Sequence, residues 1–139
     1  VPTVLEIARG SSLVFTSLSA DSASNTIARI LDMFPAYDQD RIRDLLATSL
    51  NAIVCQKIVP KIGGGIIMVQ EILIANEAVK SMIVGGNVSG LDNIIQTSRE
   101  DGMVSFNSAL AELVTSRQIF REDALDNVSD KKAFEQSLR

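Results

Sequence analysis

The sequence predicts an α/β fold in which a mixed strand-and-helix part, residues 1–75, is followed by an all-helical part, residues 76–139. Three observations predict it. Apolar residues recur at helical spacing in 23–34 and 42–50, and two β-rich runs, 54–59 and 66–74, flank three consecutive glycines. Beyond Ala75 the apolar pattern is of the helical kind alone. With 139 residues, 46% of them hydrophobic, the chain can bury one core, or one core and a small satellite.

The elements follow in order. Pro2 or Thr3 suits the first turn of a helix carrying Leu5, Ile7 and Ala8. The stretch Ser12-Leu-Val-Phe-Thr-Ser-Leu18 is rich in β-branched and aromatic residues and is expected as a buried strand. Asp21 or Ser22 caps a helix with Ala23, Ile27, Ile30, Leu31 and Phe34 on one face, ended by Pro35. A second helix, capped near Asp38, turns Ile42, Leu45, Leu46, Leu50 and Ile53 inward and leaves Asp40, Arg41, Arg43 and Asp44 to solvent. The two β runs then read as a hairpin closed by Gly63-Gly64-Gly65. In the helical part Asn76 caps a helix through Ile83 that Gly85-Gly86 stops, and Ser89 begins one with Leu91, Ile94 and Ile95. Ser105 caps residues 106–116, and residues 121–128 and 131–138 make two short helices.

Composition excludes several function classes. The net charge is −4 and the 13 basic residues are scattered, so neither nucleic acid nor an anionic membrane surface is an expected partner. Apolar runs such as 66–69 fall far short of the roughly 18 residues that span a bilayer, so no direct membrane insertion is expected. The N-terminus lacks a basic flank followed by an apolar stretch, which makes a cytoplasmic location the expectation. There is no histidine, so Ser-His-Asp, Cys-His and most zinc arrangements cannot be built. The one cysteine, Cys55, sits in an apolar stretch as a small buried hydrophobe rather than a reactive thiol.

Motifs with catalytic associations read as structure. Gly63-Gly64-Gly65 lacks a following Lys-Ser/Thr and leads into a strand, whereas a phosphate-cradling loop delivers its ligand to a helix N-terminus. Ser129-Asp-Lys-Lys132 matches Ser-x-x-Lys but reads as a helix cap followed by exposed lysines. Glu122-Asp123 and Arg99-Glu100-Asp101 are charges at helix ends, where the backbone dipole explains them. No catalytic, cofactor-binding or metal-binding residue is assigned.

Read consecutively, Ser12-Leu-Val-Phe-Thr-Ser-Leu18, Ala28-Arg-Ile-Leu-Asp-Met-Phe-Pro35, Ile53-Val-x-Gln-Lys-Ile-Val-Pro-Lys61 and Glu71-Ile-Leu-Ile74 together resemble the C-terminal part of the PilT-type retraction ATPases. Ser12-Leu-Val-Phe-Thr-Ser-Leu18 is similar to the family strand G-H-L-V-F-S-T-L-H-T, and Ala28-Arg-Ile-Leu-Asp-Met-Phe-Pro35 to R-I-I-D-M-F-P. The order continues through Ile42-Arg-x-x-Leu-Ala-x-Ser-Leu50, Ile53-Val-x-Gln-Lys-Ile-Val-Pro-Lys61, Glu71-Ile-Leu-Ile74, Ile94-Ile-Gln-Thr97, Gly102-Met103 and Glu122-Asp-Ala-Leu125. The resemblance implies the C-terminal part of a RecA-like P-loop ATPase core followed by a small helical domain. It implies a role in pilus retraction and twitching motility, ATP and Mg²⁺ in the complete protein, a hexameric ring or an intact motor as partner, and contact with inner-membrane pilus machinery.

The departures from the family pattern are specific. The two family histidines correspond to Ser12 and Ser19, and the threonine after the second to Ala20. A serine hydroxyl cannot carry positive charge toward a phosphate. The Walker A loop and the acidic metal-binding and water-activating residues would lie before Val1, so this chain by itself is expected not to hydrolyse ATP. The family's retraction-associated helix A-I-R-N-L-I-R-E corresponds to Ala78-Val-Lys-Ser-Met-Ile-Val-Gly85: Val79, Met82 and Ile83 keep the apolar spacing, while the charged positions have become Lys80, Val84 and Gly85, the last two without charge. Ala78, Val79, Lys80, Met82 and Ile83 are the candidate coupling residues. Two other readings stand beside the motor: a catalytically silent homologue docking on a motor ring, and a scaffold that binds a partner through an apolar groove.

Overall fold

Capping chemistry decides where the first long helix begins. In the computed structural model, which describes residues 2–128 and 130–138, the Ser22 hydroxyl accepts the Asn25 amide at 3.2 Å and starts helix α2, Ala23–Asp32. Its inward face buries Ala23, Ile27 and Leu31, as the spacing predicts. Before it, α1, Pro2–Ala8, sends Leu5 into the core and leaves Ile7 outside. After it, a 3₁₀ turn at Ala36–Asp38 leads into α3, Gln39–Ser49, which buries Ile42, Leu45 and Leu46. Asp38 does not cap α3; the Arg41 guanidinium grips both its oxygens at 2.7 and 2.8 Å. Ile53, expected on that helical stripe, belongs to the next strand.

The glycine triplet closes a hairpin. Strands β1, Ala52–Pro60, and β2, Ile66–Ile74, pair antiparallel with Cys55 opposite Glu71 and Ile58 opposite Met68. All three glycines of the connection take positive φ (88°, 104° and 86°), which a side chain would resist. One face of the hairpin buries Cys55, Val59, Val69, Glu71 and Leu73; the other exposes Val54, Ile58, Ile66 and Met68. The outer edge of β2 makes one further bridge, Ile72 with Val104, through hydrogen bonds of 2.8 and 3.0 Å.

The expected strand at residues 12–18 is not formed. The segment is irregular, and Leu13 and Phe15 stand 69% and 88% exposed. Strand propensity describes fit to a pleated, half-buried surface, and a strand exists only where a neighbour exchanges backbone hydrogen bonds with it. Among the described residues β1 and β2 pair with each other, and no strand lies beside residues 12–18.

In the helical part, the Asn76 side chain accepts the Val79 amide at 3.0 Å and begins α4, Glu77–Val84. Gly86 follows at φ 73°, with the Arg43 guanidinium 3.6 Å from where a Cβ would sit. Gly86→Ala is expected to cost about 1–2 kcal/mol through the left-handed backbone, read as a lowered urea midpoint with unchanged slope. Ser89 lies inside a 3₁₀ turn, Val88–Gly90, rather than at a cap, and α5, Leu91–Thr97, begins after it. Ser105 caps α6, Phe106–Thr115, by accepting the Ser108 amide at 3.1 Å. Helix α7, Arg121–Leu125, is shorter than its apolar pattern suggests, and α8 spans Lys131–Ser137. Ser129, the expected cap of α8, lies outside the described residues; Asp130 accepts the Lys132 and Ala133 amides at 3.0 and 3.1 Å. Helix α4 packs on α3, α6 on β2 and α8, and α2 on α5. A continuous hydrophobic cluster, including Ile27, Ile42, Leu73, Ile83, Leu91, Leu110 and Phe134, runs across position 75.

Candidate functional site

Strand alternation places an acidic residue where the core expects an apolar one. Val69, Glu71 and Leu73 share the inward face of β2, and Glu71 is 7% exposed. One carboxylate oxygen, Oε1, accepts the Ala23 amide at 2.9 Å, and Oε2 accepts the Phe106 amide at 3.3 Å. These are the first residues of α2 and α6, whose leading amides have no intrahelical acceptor and carry partial positive charge. The Ile72–Val104 bridge brings Ser105 and Phe106 alongside Glu71, so strand pairing aims α6 at the carboxylate.

Lys57 on β1 completes the junction. Its Nζ donates to the Asn127 carbonyl at 2.9 Å and lies 4.4 Å from the centre of the Phe106 ring. Cys55, opposite Glu71, has its Sγ 3.8 Å from the Thr26 hydroxyl, and burial pushes its thiol pKa up, which suits a packing role. Burial likewise lifts Glu71 above the ordinary carboxyl range, against the pull of the Ala23 and Phe106 amides and the more distant Lys57 charge, with Asp92 adding to the rise.

That shift has a definite sign. A carboxyl whose pKa is higher folded than unfolded contributes most below the ordinary value, 4.5, and the contribution is lost as pH rises through the lifted value. The stability of the native chain relative to Glu71→Gln should therefore fall across that window, measured by urea unfolding at a series of pH values. A difference that grows with pH instead would contradict the assignment.

The residues singled out from sequence fall in two other places. Ser12 and Ser19 are exposed on the irregular stretch, and neither hydroxyl has a hydrogen-bond partner among the described residues. The Ser19 carbonyl accepts from Arg29, which ties the end of that stretch to α2. On α4, Val79 and Ile83 are fully buried, Met82 is half-buried, Ala78 is exposed, and Lys80 pairs with Glu77 at 3.3 Å. Glu71 is not among the residues singled out from sequence, although a charge at an inward position of the run 66–74 is the local signal that marks it. No helix among the described residues is long and apolar enough to cross a membrane.

Comparison with known proteins gives this arrangement a class. No protein-family model matches the chain. It superposes on a crystal structure of the pilus retraction motor PilT with bound ADP at a TM-score of 0.87 and 32% identity, over 97% of this chain and 38% of that one. The described residues thus have an α/β fold matching the C-terminal part of a secretion-type ATPase. In sequence the chain is 34% identical over 122 residues to the type IV pilus retraction ATPase PilT of Pseudomonas aeruginosa, covering 88% of this chain and 36% of that protein. It is also 34% identical over 113 residues to a twitching motility protein of Neisseria gonorrhoeae, covering 81% and 30%. Over most of its length the chain is thus similar to the C-terminal part of PilT-type type IV pilus retraction ATPases, and it spans about a third of the length of the relatives it matches.

Proposed function

We propose that this chain is the C-terminal portion of a type IV pilus retraction motor and serves in it as the element that makes subunit contacts and transmits motion. In the complete motor the phosphate cradle and the Mg²⁺ ligands come from residues outside the matched third, while the stretch around Ser12 and Ser19 faces the nucleotide they hold. The helical part, residues 76–139, carries the motion, and α4 is its coupling helix, seated through Val79 and Ile83 with Ala78, Ser81 and Val84 left outward. The observation that carries this reading is a likeness to the retraction motor that extends over nearly the whole chain at a TM-score of 0.87. The motor is a homo-oligomeric ring working against pilus machinery at the inner membrane, on its cytoplasmic side.

A second reading has its own support. Both family histidines are replaced, by Ser12 and Ser19, which favours a catalytically silent homologue that docks on an intact ring. Light scattering of the purified chain, alone and mixed with a complete PilT-type motor, tests both. Self-association or co-elution with the motor is expected. The exposed apolar face of Val54, Ile58, Ile66 and Met68 supplies surface for either. A strictly monomeric chain that ignores the motor would sink both.

A further inference from the structure

We propose that Glu71 is a positioning residue that couples the start of α2 to the start of α6, so that a displacement at residues 19–22 is delivered to the helical part through one carboxylate. The three elements it joins are far apart in sequence: Ala23 lies 48 residues before Glu71 and Phe106 35 residues after it. Each oxygen serves a different helix, at 2.9 and 3.3 Å, and the group is rigidly based in the hairpin. Moving either helix end against β2 leaves a buried carboxylate oxygen without its donor, which is costly, so the two ends are constrained to move together.

Two features separate this from ordinary core packing. An isosteric apolar side chain would fill the same space without the cost of burying a charge, yet the site holds a carboxylate whose two acceptors are both used. Furthermore, α2 follows directly on the stretch that ends in Ser19 and Ala20, and Ala23 is the residue after the Ser22 cap. Movement of that stretch reaches Glu71 within one helical turn. Lys57 supports the far side, since its cation rests on the Phe106 ring and holds the carbonyl of Asn127 after α7. The use of this joint in force transmission rests on the motor reading above; the coupling itself does not.

The test is a double-mutant cycle read by amide hydrogen exchange at Phe106. Ser22→Ala weakens the α2 cap, and in the otherwise native chain it should speed exchange at Phe106 about fivefold. In a Glu71→Gln background, where the single carbonyl oxygen can serve only one helix, Ser22→Ala should leave Phe106 unchanged within about twofold. Asn76→Ala, which weakens the α4 cap instead, should not move Phe106 in either background, and this separates coupling from general loosening. Equal acceleration by Ser22→Ala with and without Glu71 overturns the proposal. Should Glu71→Gln fail to fold, the native arm still decides: no acceleration at Phe106 in Ser22→Ala, or the same acceleration in Asn76→Ala, overturns it. Failure of this cycle leaves the oligomerisation result untouched, so the joint and the motor reading fail separately.

Discussion

Ile83→Ala is expected to destabilise the chain by about 2–5 kcal/mol, the range for emptying a buried aliphatic site whose surroundings cannot collapse. Ile83 is fully buried, and α4 is held to the rest of the molecule chiefly by its packing on α3. Val84, the next residue along, is 49% exposed, and Val84→Ala should change stability by less than about 0.5 kcal/mol. Urea unfolding of the pair measures both. A small loss at Ile83 would mean that α4 is a loosely held flap, and a rigid coupling helix could not then be built on it.

Placing histidine at positions 12 and 19, where the resemblance sets the family's two histidines, should have the largest functional effect. In a hybrid motor where this chain replaces the matched third of the P. aeruginosa retraction ATPase, Ser12→His together with Ser19→His is expected to raise ATP turnover about 10²-fold, the worth of one well-placed donor to a developing charge. Both serines are exposed on the irregular stretch, so the larger rings meet no packing obstacle, and the unfolding midpoint should barely change. Steady-state hydrolysis with a Walker A mutant as background checks it. Equal turnover with serine and histidine would mean that positions 12 and 19 do not face nucleotide in the assembled ring.

What sequence reveals here is set by the range of the interactions. The Ser22, Asn76 and Ser105 caps and the glycine-closed hairpin depend on residues within a turn or two of one another, and all were readable. The segment 12–18 has the composition of a strand but not the neighbour, which is a property of tertiary context that β-branched content cannot report. Ser89 reads as a cap by residue type, whereas the Asn87 carboxamide takes the Gly90 amide at 3.2 Å and turns the chain first. Glu71 stood inside a stretch matched to the family, yet its meaning depends on a register that brings Cys55, Ala23 and Phe106 around it. No local pattern encodes that meeting. The Ile72–Val104 bridge that delivers Phe106 was hidden for the same reason.

Pilus retraction in living cells tests the central claim most directly. The histidine-restored hybrid, expressed in cells lacking their own retraction ATPase, is predicted to assemble into rings and to return twitching zones to the colony edge. Rings that assemble and hydrolyse ATP but leave the colonies smooth would contradict a role for this chain in carrying motion from nucleotide to pilus.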